Sequence, residues 1–116
     1  MPRFHVLLIP KAPPEVTAQH RPAHLEYVKG LIRSGRIVIA GRFKDGSGGF
    51  YVLEAEDLSE ALSIVGKDPY KIADVREFVV REIEEVTALA LGGTRTGPAS
   101  GSRGPRQRRG RGPPEA

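Results

Sequence analysis

The composition of the last part of the chain limits what this 116-residue sequence can fold into. Residues 92–116 consist mainly of Gly, Pro, Arg, Ser and Thr, and they include no Leu, Ile, Val or aromatic residue. A segment of this composition cannot bury enough apolar surface to offset its loss of conformational entropy. We therefore expect a disordered Arg/Gly/Pro-rich tail over residues 92–116 and one folded domain over residues 1–91.

The formal net charge of +4 comes from this tail rather than from the folded domain. The tail holds six of the eighteen Lys and Arg residues and one of the fourteen Asp and Glu residues, which leaves twelve basic and thirteen acidic residues in the domain. The basic balance is therefore no reason to expect that the domain binds nucleic acid or a membrane. We expect at most weak, salt-sensitive nucleic-acid binding through the tail.

The absence of cysteine excludes disulfides, thiolate metal sites and a cysteine nucleophile. The apolar run after Met1 is too short for a signal sequence, and no segment reaches the length of a membrane span. These features predict a cytoplasmic protein without a membrane partner.

The hydrophobic pattern of residues 1–91 changes its period along the chain. A β-branched and aliphatic run at 4–9 predicts a strand that Pro10 closes, and Pro13 and Pro14 predict a loop after it. Pro22 suits the first turn of a helix, and apolar residues recur at helical spacing from there until Ser34. We therefore expect the first helix to begin at Pro22.

The remaining elements follow a similar logic. Two strand-like runs at 36–43 and 50–55 flank a glycine-rich turn and predict a hairpin. Asp57, with Glu60 three residues later, predicts the start of a short amphipathic helix that ends near Gly66. The run from Val75 to about Val86 predicts a last strand, although its charged residues would also suit a helix face.

The predicted order β-α-β-β-α-β is the ferredoxin-like arrangement of an α+β domain, with both helices on one face of an antiparallel sheet. The opposite face of such a sheet needs a cover, because an exposed apolar sheet face commonly marks an interface. A homodimer that packs sheet to sheet is the simplest cover.

His24 and Asp68 form the candidate acid-base pair of the sequence. An imidazole exchanges protons near neutral pH, and a carboxylate held against it fixes its tautomer and stabilises its protonated form. Pro69 disfavours the helical conformation for Asp68 and so restricts how the carboxylate is presented. The local sequence leaves other roles open, since Asp68 also suits a cap for the turn at 70–73 and His24 also suits a packing histidine.

Further candidates are fewer and weaker. Tyr70 and Tyr27 are possible hydrogen-bond donors in a pocket, with Tyr27 better suited to the rim of the pocket or to the core. His5 either lines a cavity or faces water. His20 and His24 are four residues apart, but Pro22 predicts that His20 precedes the helix and no third ligand is evident, so we expect no metal site.

Five short segments resemble, in the right order, the YciI-like (YCII-related) proteins over about residues 3–86. The segments are RPAHL at 21–25, SGRIVIAG at 34–41, GFYVLEA at 49–55, EAL at 60–62 and KDPY at 67–70. The resemblance implies a dimeric α+β barrel of ferredoxin-like subunits. It also implies that His24 and Asp68 are the active-site residues. Members that have been assigned a reaction act on small, often chlorinated aromatic ring compounds, so the resemblance implies an enzyme class and not a particular substrate.

The sequence departs from the family pattern at Arg42, where members typically carry proline after Ala-Gly. If this side chain points into the pocket, it supplies a fixed cation suited to a carboxylate or enolate oxygen. Arg42 would otherwise be a surface residue. We retain Arg42, Tyr70 and His5 as candidate substrate-binding residues.

Two functions are consistent with these features. The first is a small cofactor-independent enzyme in which His24, oriented by Asp68, moves protons on a small cyclic or aromatic metabolite, as an isomerase, lyase or dehydrochlorinase does. The alternative is a non-catalytic dimeric module whose pocket binds a small ligand without changing it. An acid-base pair looks alike across many reactions, so the sequence does not name the substrate.

Overall fold

The structure, a computed structural model, describes residues 1–86 and contains a four-stranded antiparallel sheet with three helices. The strands are β1 (Arg3–Pro10), β2 (Ile37–Arg42), β3 (Gly49–Glu54) and β4 (Arg76–Ile83). The helices are α1 (Pro14–Arg33), α2 (Leu58–Val65) and α3 (Pro69–Ile72). The predicted α+β class is confirmed. The tail expected over 92–116 lies outside the described residues, as do residues 87–91 of the predicted domain.

The sheet has the strand order β2-β3-β1-β4, which puts β1 between β3 and β4. Alternate residues of β1, namely Phe4, Val6 and Leu8, are buried, because successive side chains of a strand point to opposite faces. Val6 pairs with Tyr51 of β3 and with Val80 of β4 across the sheet. The buried face of the sheet joins residues of all three helices in one core, which includes Val28, Ala61, Val65 and Tyr70.

The other face of the sheet is apolar but only partly covered. On this face Leu7 pairs with Phe50, and Ile39 pairs with Val52. The side chains of these four residues are half-buried or exposed. Ile39 is 55% exposed. This open face therefore carries apolar side chains that the described residues do not bury.

The first helix begins earlier than the sequence pattern predicts. α1 starts at Pro14 and not at Pro22, so the expected loop after Pro13 is wrong and Pro22 lies inside the helix. Pro14 occupies the first turn, where a missing N–H costs no hydrogen bond. Pro22 cannot donate to the carbonyl of Ala18, but Ala18 is exposed and water can satisfy that oxygen. Thr17 is buried, and its hydroxyl donates a hydrogen bond to the carbonyl of Pro13 at 3.4 Å.

The second half of the chain follows the predictions closely. Asp57 caps α2 by accepting a hydrogen bond from the backbone N–H of Glu60 at 2.9 Å. The helix ends at Val65, next to the predicted Gly66. The last segment is the strand β4, and the turn before it contains the short helix α3. None of the helices within residues 1–86 is both long and apolar enough to cross a bilayer.

Gly48 brings the β2–β3 hairpin against β1. Its φ of +121° is unfavourable for a residue with a side chain, and a Cβ there would run into the carbonyl oxygen of Leu8. The carbonyl of Gly48 accepts a hydrogen bond from the backbone N–H of Phe43 at 2.8 Å. This close approach places the end of the hairpin beside the buried face that carries the candidate site.

Candidate active site

Asp68 is held at the start of α3 by its neighbour in the sequence. Its backbone has φ −66° and ψ 127°, the extended conformation that a following proline favours. Its Oδ1 accepts a hydrogen bond from the backbone N–H of Tyr70 at 2.8 Å and so caps the helix. The capping role considered from the sequence is therefore present, and it fixes the direction of the carboxylate.

The same carboxylate contacts the imidazole of His24, which projects from the middle of α1. His24 Nδ1 lies 2.8 Å from Asp68 Oδ1, and the two residues are 2% and 0% exposed. A carboxylate can only accept hydrogen bonds. Nδ1 of His24 therefore carries a hydrogen and donates a hydrogen bond to Asp68. In the neutral ring this leaves Nε2 as an acceptor.

The second carboxylate oxygen is satisfied by a residue that the sequence analysis did not single out. The hydroxyl of Tyr51 donates to Asp68 Oδ2 at 3.1 Å, and Tyr51 is 1% exposed. Burial, and then the charge of Asp68, raise the pKa of the Tyr51 hydroxyl far above its ordinary value, so it remains a donor. Asp68 thus accepts three hydrogen bonds, from His24, Tyr51 and the Tyr70 backbone.

The ring of Tyr70 packs against the face of the imidazole, while Asp68 is hydrogen-bonded to its edge. The two rings are stacked, with centroids 3.9 Å apart and planes 10° from parallel. The guanidinium of Arg76 lies over the same tyrosine ring, 5.2 Å from its centroid. The pKa of the Tyr70 hydroxyl is raised, because the effect of burial exceeds the opposing effect of the positive charges of Arg21 and Arg76.

A small cavity adjoins His24 and Tyr70 and has a volume of about 30 Å³. Within residues 1–86, neither His24 Nε2 nor the Tyr70 hydroxyl has a hydrogen-bond partner, although both residues are buried. Buried polar groups are normally paired, so these two atoms are available to a ligand or to water. The other residues around this inner cavity are Leu8, Arg21, Gly41, Arg42, Gly48, Gly49, Phe50, Tyr51 and Arg76.

A second, larger cavity of about 340 Å³ shares part of this lining. The residues common to the two cavities are Arg21, Arg42, Gly48 and Arg76. The outer cavity adds residues of the β2–β3 turn and of the segment from the end of β1 to the start of α1, namely Phe43, Lys44, Gly46, Pro10, Ala12, Pro14 and Thr17. The shared arginines therefore stand between the inner cavity at His24 and the wider outer one.

The predicted substrate-binding residues do not all lie at this cavity. Arg42 and Tyr70 line it, whereas His5 lies on the open face of β1 and stacks on Phe50, with ring centroids 5.6 Å apart. Tyr27 donates to the carbonyl of Ile64 at 2.6 Å and joins α1 to α2.

The prediction that His20 precedes the helix is wrong, because His20 lies inside α1, four residues before His24. Four-residue spacing puts both imidazoles on one side of the helix. Even so, residues 1–86 contain no group of three or more His, Asp or Glu side chains arranged to hold a metal ion.

The sequence analysis missed Tyr51, Arg21 and Arg76 as parts of the site. The alternation of β3 predicts that Tyr51 shares a face with Leu53, so its burial could have been found. Its contact with Asp68 depends on how α3 packs against the sheet, which no local pattern encodes. Arg21 and Arg76 are far apart in sequence and meet only in the fold.

Two known proteins are similar to this chain, one in sequence and one in structure. The uncharacterized protein YjpA of Bacillus subtilis (strain 168) is 34% identical over 64 residues, which is 55% of this chain and 75% of that protein. The solved structure of 5-chloro-2-hydroxyhydroquinone dehydrochlorinase (TftG) from Burkholderia phenoliruptrix AC1100, in complex with 2,5-dihydroxybenzoquinone, is similar with a TM-score of 0.63. That match has 24% sequence identity and covers 72% of this chain and 95% of the other, so it shows a shared fold.

Residues 3–87 match the YCII-related domain, and this range includes the whole candidate site. The chain belongs to the YCII-related domain family.

Proposed function

We propose that this protein is a small acid-base enzyme that acts on a cyclic or aromatic metabolite without a cofactor. The observation that carries the proposal is the buried pair of His24 Nδ1 and Asp68 Oδ1, which leaves Nε2 beside the inner cavity. An oriented imidazole with one unpaired nitrogen is equipped to take a proton from one substrate atom and return it to another. Membership in the YCII-related domain family and the structural similarity to a dehydrochlorinase support such chemistry.

The other residues have supporting roles in this proposal. Asp68 is a positioning residue that holds the imidazole in the tautomer with a basic Nε2 and stabilises the imidazolium once the proton has moved. Tyr70 and Arg42 line the cavity, where they would bind substrate oxygen atoms. His5 does not line the cavity and would act through Phe50.

Loss of HCl from a chlorinated hydroxyhydroquinone is the first reaction to test. A hydroxyl proton first moves to the ring carbon that carries the chlorine. A second hydroxyl then gives up its proton, the electron pair of that O–H bond forms a carbonyl and shifts a ring double bond, and the electron pair of the C–Cl bond departs with the chloride. The reaction therefore needs proton transfer but no external oxidant or reductant. Nε2 of His24 would accept the departing proton.

The test uses 5-chloro-2-hydroxyhydroquinone and related ring compounds, with chloride release and mass spectrometry as readouts. We expect His24→Asn to lower turnover about 10²- to 10⁴-fold, the usual contribution of a general base. His20→Asn is the matched control, since His20 lies on the same helix but does not line the cavity. Full activity in His24→Asn would refute the mechanism, and binding without conversion of any compound would favour a ligand-binding module.

Nitrogen NMR of His24 provides a measurement that needs no substrate. We expect the signals of a ring protonated at Nδ1, and we expect that preference to weaken in Asp68→Asn. An Nδ1 signal that is unaffected by Asp68→Asn would show that the carboxylate does not set the tautomer.

We also propose that the subunit is ferredoxin-like and pairs through the open face of its sheet, as a dimeric α+β barrel. The partly covered side chains of Leu7, Ile39, Phe50 and Val52 support this pairing. Light scattering after size-exclusion chromatography should give the mass of a dimer, and Ile39→Glu should give a monomer. A monomeric parent protein would contradict the proposal.

We propose in addition that residues 1–91 form one domain and that the protein is cytoplasmic. The ligand of the domain is a small molecule, and any weak binding of nucleic acid occurs through the tail.

A further inference from the structure

The charge around the two cavities is one-sided. Arg21, Arg42 and Arg76 line both cavities and Lys44 lines the outer one, whereas no Asp or Glu of residues 1–86 lines either. Residues 1–91 as a whole carry nearly equal numbers of acidic and basic groups. The concentration of cations is therefore a local property of the site and does not follow from the overall composition.

Arg21 and Arg76 come from α1 and from the start of β4, and the fold brings their charges together. Neither forms an ion pair with an Asp or Glu of the described part of the chain. Burial and the nearby charge of Arg21 lower the pKa of the Arg76 guanidinium. Two like charges without a carboxylate between them repel each other, and a bound anion would relieve that repulsion.

The arginine pair is close to the acid-base pair. Arg76 lies over the ring of Tyr70, which is stacked in turn on the imidazole of His24. Arg76 and His24 therefore contact the same aromatic ring, and both line the inner cavity. The unpartnered hydroxyl of Tyr70, in a residue that is 4% exposed, adds a donor to the same cavity.

We propose that the ligand carries an oxyanion that is charged at neutral pH, a carboxylate or a phosphate, and that Arg21 and Arg76 bind it while His24 acts on another part of the same molecule. This inference rests on the proposed function and specifies its substrate class. The inner cavity of about 30 Å³ accommodates only the reacting end of such a molecule. The arginines at the junction bind its anionic group, and the outer cavity holds the remainder. Guanidinium groups suit this task because they match the paired oxygens of both anions.

The test compares benzoate with benzamide, which has nearly the same shape but no charge, and includes inorganic phosphate as a third probe. We expect benzoate to bind at least tenfold more tightly than benzamide by NMR titration, with an advantage that shrinks as salt is added. A phosphate affinity above that of benzoate assigns the site to phosphate esters, and the reverse order assigns it to carboxylates. Equal affinities for benzoate and benzamide, with no binding of phosphate, overturn the inference.

Matched variants locate the anion. Arg76→Gln and Arg21→Gln should each reduce benzoate affinity about tenfold and leave benzamide affinity unchanged, and Arg76→Lys should lose less than Arg76→Gln. Arg33→Gln removes the same charge from the exposed end of α1 and should have no effect. If all of these variants bind benzoate equally well, the arginines do not form the anion site.

The outcomes separate this inference from the proposed function. If the arginine variants discriminate between the probes while His24→Asn keeps full turnover, the anion site stands and the mechanism is wrong. If His24→Asn loses turnover but benzoate and benzamide bind alike, the mechanism stands and the anion site is wrong.

Discussion

Removal of the Tyr51 hydroxyl should measure how strongly the fold depends on the buried carboxylate. Tyr51→Phe keeps the ring, which is 1% exposed, and deletes only the hydrogen bond of 3.1 Å to Asp68 Oδ2. Hydrogen bonds to charged groups are worth about 1.5–3 kcal/mol, and the substitution leaves one buried carboxylate oxygen without its donor. We expect the free energy of unfolding to fall by about 2 kcal/mol, near the middle of that range.

Tyr27→Phe is the matched control for this change. Its hydroxyl is half-buried and donates at 2.6 Å to the neutral backbone carbonyl of Ile64. A hydrogen bond between neutral groups is worth about 0.5–1.5 kcal/mol, so Tyr27→Phe should cost less than Tyr51→Phe despite its shorter distance. The comparison therefore separates the charge of the acceptor from the length of the bond.

Urea unfolding followed by circular dichroism, at one fixed protein concentration, gives both values. The midpoint should shift without a change in the dependence on urea, which would indicate altered stability rather than an altered unfolded state. A Tyr51→Phe protein as stable as Tyr27→Phe or more so would refute the reasoning, since Asp68 would then not depend on this donor. We also expect slower turnover in Tyr51→Phe, because Asp68 would hold His24 less firmly.

Three further predictions concern stability. Burial and the nearby negative charge raise the pKa of Tyr51 above its ordinary 10.0, so above pH 10 the unfolded chain loses a proton that the folded chain keeps. The free energy of unfolding should therefore fall above pH 10 by about 1.4 kcal/mol per pH unit for this group. In urea unfolding at several pH values, Tyr51→Phe should make this fall less steep. Gly48→Ala should cost about 3 kcal/mol in urea unfolding because its Cβ meets the Leu8 carbonyl, whereas Gly46→Ala, with a positive φ but open space, should cost about 1 kcal/mol. Gly30→Ala, in open space on α1, should raise the thermal midpoint by stabilising the fold by about 0.5–1 kcal/mol, and a lower midpoint would contradict this.

Local patterns predict most of the strands and the second helix. The alternation of β1 and the turn glycines of the hairpin act between residues close in sequence, and so does the cap of Asp57 on α2. The start of α1 is different, because the stripe that it buries includes the polar residues Thr17 and His24. A search for apolar spacing does not detect a buried stripe that contains hydrogen-bonded polar side chains.

The site is predictable from the sequence only in part. The residue types and the family resemblance single out His24 and Asp68, and the structure places them 2.8 Å apart. The partners Tyr51, Arg21 and Arg76 lie on three different elements, and their meeting depends on how those elements pack. Long-range packing of this kind leaves no signal in the local sequence of any one element.

The segment from Asp68 to Tyr70 controls the imidazole along two perpendicular directions, by a carboxylate at its edge and a ring against its face. Since the same carboxylate also caps α3, a substitution of Asp68 should disturb both the start of this helix and the position of the imidazole. If the arginines that α1, β2 and β4 supply bind the ligand as we propose, ligand choice depends on them instead. Substitutions at those positions would then change which ligand binds while His24 and Asp68 keep their geometry.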